Sequence, residues 1–213
     1  MMEETLVSVR GNIHEIQEEI IPDRVSMSGT VESSKTNAYT NADLGLWGFL
    51  ATIAMLFAGF SSAYLVRRAA GDWLPIAAPQ VLYWNTLILV FSSAGLEIGR
   101  VALRAGKQSA FRSWTFAGTL LGFAFLAGQV IAWKQLVDIG IFLPTSPHSS
   151  FFYIFSGLHG VHLLGGVGWL LYSFGRAWGD SERGYTALRL CATYWHFLTA
   201  IWLFIFYLLF SFR

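Results

Sequence analysis

The chain has 213 residues, of which 54% are hydrophobic, 16% aromatic and only 13% charged, and its net charge is +1. So low a charge content, against roughly 25% in soluble domains, excludes an ordinary water-soluble fold, and the near-neutral balance excludes a nucleic-acid-binding surface. A single cysteine, Cys191, excludes an internal disulfide and a Cys-rich metal or iron–sulfur centre.

Residues 1–43 hold eight of the thirteen acidic residues and no aromatic residue except Tyr39. They lack the basic start and short apolar core of a secretory signal. They read as a polar, flexible cytoplasmic tail, in which IHEIQEEII (13–21) could form a short amphipathic helix.

Five uninterrupted apolar runs follow, at 44–66, 81–103, 113–137, 151–174 and 190–212. Each is long enough to cross a bilayer, because ~20 apolar helical residues span the ~30 Å hydrocarbon core. The predicted fold class is all-α, an integral membrane bundle of five transmembrane helices over residues 44–213. Asp43 stands where it can cap the first helix. In the third, Trp114 and Trp133 lie 19 residues apart, a rise of ~28 Å that matches the interval between two interfacial aromatic belts.

Helices in lipid have no hydrophobic drive to associate, so close packing needs small residues. Gly59-x-x-x-Ala63, Gly118-x-x-x-Gly122 and Ser156-x-x-x-Gly160 supply them. Charge placement sets a direction. Arg10, Arg24, Lys35, Arg100, Arg104, Lys107, Arg112, Arg176, Arg183 and Arg189 fall on one side, while Arg67, Arg68, Lys134 and Arg213 fall on the other. The positive-inside rule then puts the amino terminus in the cytoplasm and the carboxyl terminus outside.

Ionisable residues at membrane depth are functional candidates by default. Glu97 is the acidic one well inside a span, and Arg100 follows it on the same face at i+3, near the cytoplasmic end, where the pair can share a hydrated interface. His159 and His162 sit three apart near the centre of the fourth run and share a helix face, while His196 lies in the fifth. A three-histidine metal or haem site would have to overcome a depth mismatch. His196 is seven residues from Arg189, ~10 Å of rise, whereas His162 is fourteen from Arg176, ~21 Å. Hydrogen bonding between helices or to an adjoining subunit is the simpler role. Gln129, Ser92, Ser93, Ser156 and Thr199 read as interhelical hydrogen-bonders. The aromatic run with Tyr194, Trp195, Phe197, Trp202, Phe204, Phe206 and Tyr207 is core, lipid-facing surface or subunit contact.

Two of these segments carry a resemblance. FFYIFSGLHGVHLLGG (151–166), with Gly157, His159, Gly160 and His162, and YWHFLTAIWLFIF (194–206), with Trp195, His196, Phe197 and Trp202, resemble the last two helices of subunit III of the haem–copper terminal oxidases, the cytochrome c oxidase and quinol oxidase group. WNTLILVFSS (84–93), with Asn85, is similar to the family's L-N-T segment, and Gln129 to its glutamine in the next helix. Two family carboxylates are absent: Ile53 stands at the position of the buried glutamate of the first helix, and Thr199 where an acidic residue often follows the Y-W-H-F motif.

The resemblance implies the short bacterial five-helix form. Such a subunit carries no catalytic residue, haem, copper or other cofactor of its own, those being expected in partner subunits. It packs against catalytic subunit I and also subunit II, contacts phospholipid, and serves a cytoplasmic-membrane complex that takes electrons from cytochrome c or quinol. The family role is aerobic electron transport, in which oxygen reduction is coupled to proton translocation, with subunit III stabilising subunit I and sustaining proton uptake. A subunit III-like protein associated with nitric oxide reductase is the near alternative. From other classes come a small proton-coupled transporter using Glu97 or the histidine pair, and a haem-bearing anchor using His162 and His196.

Overall fold

The computed structural model describes residues 22–70, 73, 76, 78–179 and 181–211, and the side chains of 41–70, 73, 76, 78–175 and 185–210. The segment 13–21, expected as an amphipathic helix, lies outside the described residues. The helices are α1 (Pro22–Arg68), α2 (Gln80–Arg104), α3 (Gln108–Asp138), α4 (Pro147–Gly179) and α5 (Ser181–Phe206), the last continued by a π-turn at Tyr207–Ser211. The described residues contain no strand. Each helix holds a stretch long and apolar enough to cross a membrane: Asn41–Arg68, Gln80–Arg104, Gln108–Asp138, Pro147–Gly175 and Tyr185–Phe210. The all-α, five-span architecture read from the apolar runs is the one found.

The chain divides into two units, Met1–Trp47 and Gly48–Arg213. In the first, the helix opens at Pro22, and proline at a first helical position loses no bond because its N–H would be unsatisfied there in any case. No second proline interrupts 23–43 and Gly29 is its one glycine. The helix therefore runs through Asp43, which lies inside α1 and does not cap it.

In the second unit, local chemistry fixes the helix ends. At the α2–α3 turn, Gly106 adopts φ 72°, Lys107 N–H donates to Ala102 O at 2.9 Å and Gly106 N–H to Leu103 O at 3.1 Å. Gly140 repeats this after α3, with φ 78°, Ile141 N–H to Leu136 O at 2.9 Å and Gly140 N–H to Val137 O at 2.9 Å. Both are Schellman closures, which need a residue free to enter the left-handed region. The start of α4 is a reciprocal cap: Ser149 N–H donates to Ser146 Oγ at 3.1 Å and Ser146 N–H to Ser149 Oγ at 2.9 Å, with Pro147 at the first helical position.

Small residues set the closest approach. A Cβ on Gly95 would lie 3.6 Å from Gly118 Cα, so α2 and α3 pack nearly backbone to backbone. Ser92 of α2 adds a bond from Oγ to Gly118 O at 2.7 Å. The expected Gly118/Gly122 pair is thus buried at helix contacts, whereas Gly59 and Gly160 have no atom within 4 Å of a Cβ built on them. Gly59 and Gly160 thus make no close helix contact among the described residues, whereas Ser156 ties α4 to α3 through its hydroxyl. Helix α1 meets its neighbours through rings instead: Phe57 to Phe155 at 6.3 Å, Tyr64 to Phe151 at 5.4 Å and Phe49 to Tyr194 at 5.9 Å between centroids. Trp114 is exposed as a belt residue should be, but Trp133 turns inward and donates from Nε1 to Ser156 Oγ at 3.0 Å.

Candidate functional site

The polar side chains of the spans gather in two groups. The first is a layer inside the bundle to which four helices contribute. Trp202 of α5 donates from Nε1 to Thr86 Oγ1 of α2 at 3.0 Å, and its ring lies 5.1 Å from Phe125 of α3 and 5.1 Å from His159 of α4. Asn85 of α2 donates from Nδ2 to Phe125 O at 3.0 Å. Gly128 leaves room for this, since a Cβ there would collide with the Asn85 carboxamide.

The Trp133–Ser156 bond sets the antiparallel register of α3 and α4. One turn further in on each helix stand Gln129 and His159, which therefore lie level, 3% and 0% exposed. Both amide atoms of Gln129 and both ring nitrogens of His159 are buried without a protein hydrogen-bond partner. The two histidines expected to share a face part company. Helix geometry turns i and i+3 about 60° apart, so His159 points into the bundle while half-buried His162 faces Phe57 of α1, ring centroids 6.0 Å apart. His162 Nδ1 also lies 2.8 Å from Leu158 O.

The second group is a chain of polar contacts between α2 and α5, with one flank open to the surroundings of the bundle. Arg100 holds Glu97 with both arms of its guanidinium, Nε to Oε2 at 2.9 Å and Nη2 to Oε1 at 2.5 Å. His196 reaches the same carboxylate from Nε2 at 3.2 Å, and its Nδ1 lies 2.5 Å from Ser93 Oγ. The side chains of Arg100, Glu97 and His196 are 29%, 38% and 39% exposed. The sequence placed Glu97 beside Arg100 at i+3; that His196 joins them is a product of α2 and α5 running antiparallel.

Trp195, next to His196, is fully buried and wedged between two glycines. A Cβ on Gly122 would come within 2.7 Å of its ring, and one on Gly166 within 3.3 Å. Tyr194 beside it donates to His162 O at 2.9 Å, and Phe197 is half-buried on α5. Gly157 touches only the rim of the Trp133 ring, at 4.0 Å. Sequence reading did not assign the cradle of Gly122 and Gly166, the partnership of Thr86 with Trp202, or that of Trp133 with Ser156. Small residues at 122 and 166 were the one available signal.

His159, His162 and His196 each face a different neighbour, Trp202, Phe57 and Glu97. Among the described residues, no group of three or more His, Cys, Asp or Glu side chains comes together that could hold a metal. What the arrangement does chemically is to join helices by hydrogen bonds, with the Glu97–Arg100 ion pair lying within α2. Such bonds are worth ~0.6 kcal/mol each on average in membranes.

Fold and site together define a multi-pass helical membrane protein whose buried polar side chains act as fasteners. The sequence profile of cytochrome c oxidase subunit III matches residues 23–213. Cytochrome c oxidase subunit 3 of Thermostichus vulcanus is 32% identical over 202 residues, covering 86% of this chain and 98% of the relative. The probable cytochrome c oxidase subunit 3 of Mycobacterium bovis is 30% identical over 200 residues, covering 89% and 98%, and that of Alkalihalophilus pseudofirmus, a cytochrome c oxidase subunit 3, is 29% identical over 196 residues, covering 84% and 95%. The chain belongs to the cytochrome c oxidase subunit III family.

Proposed function

We propose that this chain is the non-catalytic third subunit of a respiratory terminal oxidase that reduces oxygen with electrons from cytochrome c. Its partners are the haem- and copper-bearing subunit I and subunit II, with phospholipid between helices, and its role is to stabilise subunit I and sustain proton uptake during turnover. The observation that carries this reading is the family match along 23–213, joined to a set of membrane histidines each engaged separately with neighbouring helices. The excess of Lys and Arg before the first span and around the second and fourth connections supports a bacterial cytoplasmic membrane with the amino terminus inside. Residues 1–43 form the cytoplasmic extension and 44–213 the membrane domain in this reading.

Affinity purification of the tagged chain from its native membrane in mild detergent tests it. A haem-containing catalytic subunit should co-purify in one-to-one ratio, with oxygen consumption from reduced cytochrome c, while the separated chain shows no haem absorbance and no copper. Recovery of the chain alone in active form, or bound to a nitric-oxide-reducing subunit, overturns it.

A further inference from the structure

Glu97 and Arg104 are seven residues apart, so the carboxylate lies ~10 Å inside the end of the α2 span. His196 stands eleven residues past Tyr185, the start of the α5 span, or ~16 Å. Arg100 stands four residues, ~6 Å, from that end, while Glu97 and His196 lie further within their spans, yet each member of the cluster keeps 29–39% of its side-chain surface uncovered. Ionisable groups at that depth almost always face protein or a water-filled space. Among the described residues, Tyr185 reaches Arg100, and the rest of the flank stays partly open.

One further surface differs in character. Between α3 and α4 lies an outward-facing groove of about 310 Å³ lined by Phe116, Thr119, Leu120, Phe123, Leu171 and Phe174, with no ionisable side chain, as suits a face toward acyl chains.

We infer that the α2–α5 flank centred on Glu97, Arg100 and His196 is the surface on which the catalytic subunit of the oxidase docks, through a transmembrane helix that offers hydrogen-bond acceptors at this depth. The chemistry of the patch selects that partner. Both Glu97 oxygens are already engaged by Arg100 and His196. Arg104 continues the Glu97 stripe at seven-residue spacing, so Glu97, Arg100 and Arg104 together sum to positive. A helix bearing a carboxylate or an exposed carbonyl complements them. The surround on the same helices, Val101 on α2 and Leu203 on α5, is exposed and apolar, as the rim of a helix–helix contact requires.

This inference rests on the functional reading above, and its test separates the two. A benzophenone amino acid is placed at Val101 or Leu203 on the flank, or at Leu120 or Leu171 on the groove, and the purified oxidase is irradiated. Positions 101 and 203 should become covalently joined to the catalytic subunit, identified by mass, while 120 and 171 give lipid adducts. Lipid adducts alone at 101 and 203, which would mark the flank as a headgroup or bilayer face, overturn the docking surface even when a haem-bearing complex is recovered. So does capture of the catalytic subunit at 120 or 171 in their place. If no haem-bearing complex forms with any variant or with the unmodified chain, the functional reading falls and takes the docking surface with it. As a second readout, Glu97→Leu should shed the chain from the complex at several-fold lower detergent than Leu120→Gln does, with helix content unchanged; equal retention counts against the proposal.

Discussion

Glu97 and His196 are separated by 99 residues of chain and by 3.2 Å in the fold. The carboxylate is shared between that ring and Arg100, which contacts it at 2.5 and 2.9 Å. Removing the acid alone should be worse than removing the pair. Glu97→Leu takes the carboxylate from a guanidinium within a span and leaves it Tyr185; that contact and partial exposure limit the cost to about 1 kcal/mol, well below the ~2.5–3.5 kcal/mol of a charge at a helix centre. The double variant Glu97→Leu/Arg100→Leu should recover part of that loss, and thermal unfolding of the chain in detergent measures both.

Trp195 sits where Gly122 and Gly166 leave space for it. Gly122→Ala would drive a methyl to 2.7 Å from a rigid ring, and overpacking of this kind costs about 1–3 kcal/mol. Trp195→Phe in the same chain should relieve it. Gly59→Ala, with nothing within 4 Å, should be neutral or gain up to ~1 kcal/mol from helix propensity. A lowered unfolding midpoint for Gly59→Ala comparable to that of Gly122→Ala would contradict this assignment of contacts.

Restoring the family carboxylates should not be benign. Ile53 is buried, as is Thr199, whose hydroxyl donates to Trp195 O at 2.9 Å. Ile53→Glu and Thr199→Asp each place a carboxyl group in an environment shaped around another side chain, at ~2–3 kcal/mol by membrane insertion scales. Ile53→Met, which conserves volume, should cost under about 1.5 kcal/mol. The yield of folded, membrane-inserted chain ranks the three.

The connections carry their own test. Gly106 and Gly140 have φ of 72° and 78°, a region that costs other residues ~1–2 kcal/mol. Gly106→Ala and Gly140→Ala should each lower stability by about that much, although no side chain crowds either position. Ser146→Ala should lose about 1 kcal/mol by removing one arm of the α4 cap. Gly140→Asn, which tolerates the left-handed region, should be milder than Gly140→Ala.

Much of the fold was legible in the chain because a bilayer asks so little of a sequence. A span must satisfy its backbone internally and be apolar for ~20 residues, so five runs announced five helices. The start of α1 was not legible: a polar stretch with no proline after Pro22 is compatible with helix or coil, and a cap at Asp43 is chemically sound but unused. The small-residue motifs show the limit more sharply. Gly118-x-x-x-Gly122 and Gly59-x-x-x-Ala63 look alike as text, yet the first sits against Leu96, Ser92 and Trp195, while a Cβ on Gly59 would meet no described atom within 4 Å.

Taken by itself, the sequence determined the all-helical class, the number of spans, the Glu97–Arg100 pair and the family. Each depends on local spacing or composition. Which helix meets which, and at what rotation, was decided only in three dimensions. The 60° between His159 and His162 sends one ring to Trp202 and the other to Phe57, and the antiparallel seating of α5 on α2 brings His196 to Glu97. Rotation and depth of packed helices follow from the whole set of side-chain contacts, and no stretch of residues encodes them alone.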